Sequence, residues 1–188
     1  LAEIAETTER LAGQASGPAA SVRLAISATP GIAELWLRPR LARFCRTFPH
    51  VEPEIRVADD LRPLMAGVVD AAIHWGRGEW AELERETLHT PLEFPVCSPE
   101  LLRSGPPLDS VEDLRHQRLL HWQSRGWWGA WLRAFGVSGV SWNVGPLLHD
   151  YPLALEMAIS GEGVALADDL LAAEHLARGR LIRPLREA

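Results

Sequence analysis

Lysine is absent from the 188-residue chain: all 19 basic side chains are arginine, against 25 aspartates and glutamates, for a formal net charge of −6. A domain that grips phosphates with its own surface is ordinarily basic, so this balance disfavours nucleic-acid binding by these residues. Cysteine is scarce too. Cys45 and Cys97 stand far apart in no CxxC arrangement, which excludes a disulfide framework or a cysteine zinc motif and leaves two buried thiols in a reducing compartment as the expectation. No apolar run approaches the roughly 18–20 residues of a membrane span, and the first residues carry acids where a secretory leader is basic. Signatures of catalysis are missing as well: there is no GxSxG elbow, no GxGxxG, no P-loop and no HExxH. Gly76-Arg77-Gly78 has no third glycine and opens no helix, and His116 and His121 are five apart with no cysteine or acidic companion. The expectation is no enzyme, no cofactor, no metal and no membrane.

What remains is an ordinary globular composition, 47% hydrophobic, long enough for one generous domain or two small lobes. Residues 1–15 place Leu1, Ile4, Thr8, Leu11 and Ala15 at helical spacing before Gly17-Pro18 stops the pattern, as in the end of a longer connecting helix. Ser21–Ser27 alternates as a strand, and a helix runs to about Phe48 with Leu37, Leu41, Phe44 and Phe48 on one face. Its regular part begins near Arg38 because Pro39 sits early in it. Val51–Ala58 is a second strand, Asp59-Asp60 offers a cap for a short helix at 61–66, and Val68–Trp75 reads as a strand buried on both faces. This β-α-β-α-β order is the signature of a parallel sheet. Further on, Arg85–His89, Glu93–Ser98, Arg118–Trp122, Ser141–Leu148 and Gly163–Ala167 read as strands. Val111–Leu114, Trp127–Phe135 and Tyr151–Ser160 read as helical, Asp168-Asp169 caps a last helix, and Leu181-Ile182 is a final edge strand. Two α/β lobes fit this order.

In an open parallel sheet, ligands sit outside the carboxyl ends of the strands. Polar groups recur there: Ser27 and Thr29, Asp59 and Asp60, His74 and Trp75, Trp122 with Gln123 and Ser124, and Asp150 with Tyr151 before a helix. Hydroxyls, carboxylates and indole faces together suit a small molecule with both polar and apolar surface. Eight of the thirteen aromatic residues are tryptophan. Trp127, Trp128 and Trp131 share one helix and read as packing, whereas Trp75 and Trp122 are better placed to wall a site.

The ordered segments WLRPRLARFCRTFPHVE, VVDAAIHWGRG, FPVCSPELL, LLHW, LALEMAISGEGVALADDLL and GRLIRPL carry a resemblance. The chain closely resembles the effector-binding domain of LysR-type transcriptional regulators, most of all the branch that contains the glycine cleavage activator and the β-lactamase regulator. The resemblance covers about residues 18–187.

It implies a type II periplasmic-binding-protein-like α/β fold, two lobes with an effector cleft between them. Residues 18–94 with 168–188 would form one lobe, 95–167 the other, and 1–17 the end of a linker and dimerisation helix. It implies a winged helix-turn-helix domain before Leu1, through which promoter DNA would be bound, and a cytoplasmic homodimer or homotetramer answering to a small effector. Subunits would pair through the apolar face of helix 38–48. Thr29, Asp60, His74, Trp75, Trp122 and Asp150 stand at positions where the family contacts its effector, and His74-Trp75 departs from the usual Arg-Tyr. A free-standing solute-binding protein of a transporter shares the implied fold and is the alternative.

Overall fold

The computed structural model describes residues 21–76, 78, 80 and 82–185; the amphipathic segment 1–15 and Arg77 lie outside them. The chain divides into two compact units, Leu1–Arg85 and Glu86–Ala188.

The first unit is a three-stranded parallel sheet, ordered β2-β1-β3, with β1 at Val22–Ala28, β2 at Val51–Val57 and β3 at Ala71–Ile73. β1 is buried from Leu24 through Ala28, as a central strand covered on both faces must be. Pro53 has no N–H to donate and sits on β2, an edge strand, where that loss is tolerated. Asp70 completes the ladder at the entry to β3: its carboxylate accepts from the Ala25 N–H at 2.8 Å while its own N–H donates to the Ala25 carbonyl at 2.8 Å. The first helical path is wound in two ways. Ile32–Leu37 is a π-helix and α1 is Arg38–Thr47. Pro39 cannot donate an i→i−4 bond and its ring crowds the carbonyl one turn back, so the turn before it widens. The Arg38 N–H accordingly reaches back five residues to Ala33. Phe44 and Phe48 pack on Leu24, Ile26, Val51 and Ile73. The outward face of α1 carries Arg38, Ala42, Arg43, Cys45 and Arg46, all exposed. Cys45 is therefore not the buried thiol expected from the sequence. Cys97 is buried, and that burial pushes its thiol up to about 11. The short α2 spans Arg62–Met65.

The second unit is a four-stranded mixed sheet, β4-β7-β5-β6, formed by Glu93–Val96, Val164–Asp168, Leu119–Trp122 and Leu147–Leu148. β5, β6 and β7 run parallel, while β4, an edge strand carrying Pro95, runs antiparallel to β7. Around them lie α3 (Pro99–Ser104), a 3₁₀ turn at Val111–His116, α4 (Gly126–Ala134), α5 (Tyr151–Ile159) and α6 (Ala173–Ala177). Trp128 and Trp131 fill the core beside Leu119, Leu132, Val164 and Leu166. Their indole N–H groups donate to the carbonyls of Leu120 at 2.9 Å and Glu93 at 3.3 Å, so neither is buried unsatisfied. The segment from residue 168 onward was assigned by sequence to the first lobe. Its packing differs: Leu185 and Ile182 belong to the cluster of Cys97, Leu114 and Trp128 in the second unit, and Cys97 and Ile182 bond their main chains as a single bridge rather than a strand.

Three expected strands shrink. Residues 85–89 form none, 68–75 contribute only Ala71–Ile73, and 141–148 only Leu147–Leu148. The last is shortened by a pinned loop. His121, buried on β5, presents Nε2 to the Val144 carbonyl at 2.8 Å, and Arg125 donates to the Gly145 carbonyl at 2.9 Å. Gly145 adopts φ 115°, and a Cβ there would lie 2.2 Å from the Leu119 carbonyl oxygen, so only glycine fits.

Burial pushes the His121 imidazole below its ordinary range, with the Val144 hydrogen bond opposing and the Arg125 charge assisting. Burial does the same to His175, with Arg180 assisting. The unfolded chain takes up protons near pH 6.5 that the folded one refuses, so this contribution is complete above about pH 6.5 and is lost as pH falls. Urea midpoints are expected to decline from pH 7.5 to 5.5, with a shallower decline in His121→Gln; equal slopes for the two proteins would remove His121 from the account.

Candidate functional site

Because β1, β2 and β3 are parallel, their carboxyl ends lie along one edge of the first unit's sheet. Ser27 is on β1 itself and only 2% exposed, so it belongs to the wall rather than the surface. Thr29 follows the strand, half-buried, and its carbonyl accepts from the Ala33 N–H at 2.8 Å to start the helix. Asp59 and Asp60 follow β2. Asp60 accepts from the Arg62 backbone N–H at 2.9 Å and from its Nε at 2.6 Å, contacts that hold its carboxyl below the usual carboxylate range. It thereby organises the turn into α2, near the cap role expected. Residues 56–60 line an open depression of about 780 Å³ with Arg62, Pro63, Ala66 and Val68. His74 follows β3 with both ring nitrogens on main-chain carbonyls, of Trp75 at 2.6 Å and Asp59 at 2.9 Å. Where the family branch was expected to offer arginine, this residue has its polar atoms occupied by the protein. The Trp75 indole is 41% exposed.

In the second unit, the parallel run of β5, β6 and β7 brings Trp122, Asp150-Tyr151 and Asp168 to a common sheet end. The half-buried Trp122 ring stacks on Trp127, with centroids 6.0 Å apart and planes 15° apart, and meets Tyr151 edge-on at 5.1 Å. Gln123, at φ 54°, turns the chain away from β5 in the left-handed region that non-glycine residues seldom enter. Asp150 is the N-cap of α5, accepting from the Leu153 N–H at 3.1 Å. Tyr151 is 7% exposed and its hydroxyl is fully engaged: it donates to Asp168 Oδ2 at 3.0 Å and accepts from the Asp168 N–H at 3.0 Å. It supports Trp122 rather than offering a free hydroxyl.

Sequence reasoning took Asp168-Asp169 as the cap of the last helix, and the structure gives the pair other work. α6 begins at Ala173 after Ala172, with no side-chain cap. Asp168 Oδ1 accepts instead from the N–H groups of Leu170 and Leu171, at 2.9 and 2.7 Å. Burial raises the Asp168 carboxyl despite these bonds, and burial raises Glu93, its antiparallel neighbour, with the Asp168 charge adding. Asp169 accepts from the Leu92 N–H at 2.9 Å and binds His89 Nε2 at 3.0 Å, tying down residues 89–92. Trp127 was read as packing, yet its ring backs Trp122. The adjacency of Trp122 and Trp127, five residues apart, was the available signal.

The sequence matches the model of the LysR substrate-binding domain over residues 17–188. The chain belongs to the LysR substrate-binding domain family. It is 35% identical over its whole length to the glycine cleavage system transcriptional activator of Escherichia coli K12 and 31% identical over 86% of its length to the transcriptional activator AmpR of Citrobacter koseri. It spans 60% and 55% of those two proteins. The effector-binding domain of AmpR from Citrobacter freundii superposes with a TM-score of 0.76 at 26% identity, covering 87% of this chain and 81% of that one. This LysR domain therefore has the expected type II periplasmic-binding-protein-like α/β fold, and its relatives are transcriptional regulators, which favours that reading over the transporter alternative.

Replacing Tyr151 by Phe takes a donor from the half-buried Asp168 carboxylate and an acceptor from the Asp168 N–H. Urea unfolding should show a loss of about 1–3 kcal/mol, with the Asp168 carboxyl, followed by carbon NMR, climbing further; unchanged stability would mean that Asp168 finds another donor.

Proposed function

We propose that this LysR domain is the effector sensor of a cytoplasmic transcription factor, and that binding of a small molecule biases the geometry of the oligomer on DNA. The observation that supports this is the gathering of Thr29, Asp60 and Trp75 in one unit, and of Trp122 and Asp150 in the other, at the carboxyl ends of parallel strands. That is where open α/β sheets receive ligands. The groups suit an effector with hydrogen-bonding substituents and an apolar face that lies against indole. Control requires the effector to favour one arrangement over another, not merely to bind tightly. Promoter contact belongs to a part of the regulator outside this chain, in keeping with the net charge of −6.

A homodimer or homotetramer is the assembly we propose, with α1 as one pairing surface. The apolar face once expected to pair is spent on the helix's own core through Phe44 and Phe48. What α1 offers a second copy is arginine: Arg43 and Arg46 are exposed and have no ion-pair partner among the described residues. Pairing there is ionic and weakens with salt.

Titration with a metabolite panel, read by tryptophan emission, should yield ligands whose signal falls in Trp75→Phe or Trp122→Phe. Thr29→Val and Asp150→Ala should each weaken the best ligand about tenfold, and unchanged affinity in both would refute this placement. Sedimentation should show an oligomer that Arg43→Glu with Arg46→Glu converts towards monomer; an unaltered profile would exclude α1.

A further inference from the structure

The ring of His74 spans two strand ends that do not pair with each other. β2 and β3 flank β1, and the ring reaches from the end of β3 to the Asp59 carbonyl beyond β2. Nε2 lies 2.9 Å from that oxygen and Nδ1 lies 2.6 Å from the Trp75 carbonyl oxygen. Carbonyl oxygens only accept. A neutral imidazole has one N–H and one lone pair, so it satisfies one of these carbonyls and turns a lone pair on the other; the ring with N–H on both nitrogens satisfies both. Its neighbours fix it in place. Trp80 meets the ring edge-on, 6.0 Å between centroids. The Trp80 ring in turn rests on Gly76, where a Cβ would lie 2.8 Å from it. The charge set against His74 is the Asp60 carboxylate on the β2 side, itself bound by Arg62 of α2.

We propose that His74 is a positioning residue for the first unit's candidate effector groups, and that it holds Asp59-Asp60 and Trp75 together in its doubly protonated form. Its importance rests on the effector-site reading above, but the linkage itself belongs to the unliganded chain. With the proton in place, the main chains bearing Asp60 and the exposed Trp75 indole are joined through one rigid ring. Removal of a proton leaves one carbonyl without its donor: loss from Nε2 parts the ring from the Asp59 carbonyl beyond β2, and loss from Nδ1 releases the Trp75 carbonyl. A regulator built this way couples the arrangement of these strand ends to the protonation of one ring.

The test is an NMR titration of the 188-residue chain without ligand, from pH 8 to 5.5. The backbone nitrogens of Asp60 and Gly76 follow the two carbonyls in the chain and report hydrogen bonding to them. The signal after the carbonyl that loses its donor should move with the same midpoint as the His74 ring, and that movement should vanish in His74→Gln, with the Leu24–Ala28 signals serving as the check that the sheet remains folded. Both signals standing still while the wild-type ring titrates would overturn the proposal, a measurement that needs no variant. So would survival of the movement in His74→Gln. A metabolite panel that yields no ligand leaves this titration unaffected, so the effector reading and this one fail separately.

Discussion

The buried hydroxyl of Tyr151, set between the carboxylate and the N–H of Asp168, is the interaction on which the second unit's polar strand ends depend. It joins the first residue of α5 to the last residue of β7. The same tyrosine supports the edge of Trp122, which follows from its place at the end of β5. One phenol thus fixes three elements that arrive from distant parts of the chain. Its burial also keeps Asp168 in low-dielectric surroundings, where a carboxylate is costly unless hydrogen-bonded, and the N–H groups of Leu170 and Leu171 supply the rest of that compensation.

The first unit reaches a comparable arrangement by other means. Its strand ends are held by Asp60 on Arg62, by Asp70 on β1 and by His74 across the carbonyls of Asp59 and Trp75. These are side chains bonding to nearby main chain, and several are solvent-accessible. Bonds of that kind are worth less individually than a buried pair and respond more readily to conditions. The polar groups along this edge are already in use by the protein, and the Trp75 indole is the exposed surface among them.

Much of this was legible in the residues. The alternation of Val22, Leu24 and Ile26 marked β1, Pro39 marked the start of the regular helix, and the polar strand ends marked the candidate site. Hidden from sequence were the features set by tertiary partners. The 141–148 stretch alternates like a strand, but His121 and Arg125 capture the carbonyls of Val144 and Gly145 and leave little to pair. The membership of residues 168–185 in the second unit depends on where Ile182 and Leu185 find apolar neighbours, which no local pattern reveals. Asp168-Asp169 carries the composition of a helix cap, and only the positions of Tyr151 and His89 show what the two carboxylates hold. Tyr151 was singled out as a candidate effector contact, and its hydroxyl is engaged by Asp168, since residue type does not disclose whether a hydroxyl is free.

The π-wound turn at Ile32–Leu37 has a bearing on how this helix could have arisen and how far it can drift. A π turn accommodates one residue more than an α turn, and each residue of a helix advances the face by about 100°. The extra residue therefore sets the rotational phase of everything after it: Phe44 faces the core and Arg43 and Arg46 face solvent because the phase is shifted just ahead of Pro39. A lineage that lost one residue there would bring Cys45 to the core position of Phe44 and carry Phe44 to the exposed position of Arg43. The segment is thus intolerant of length change even where it tolerates substitution, and an insertion or deletion within it would re-aim a whole surface without altering a single residue on that surface.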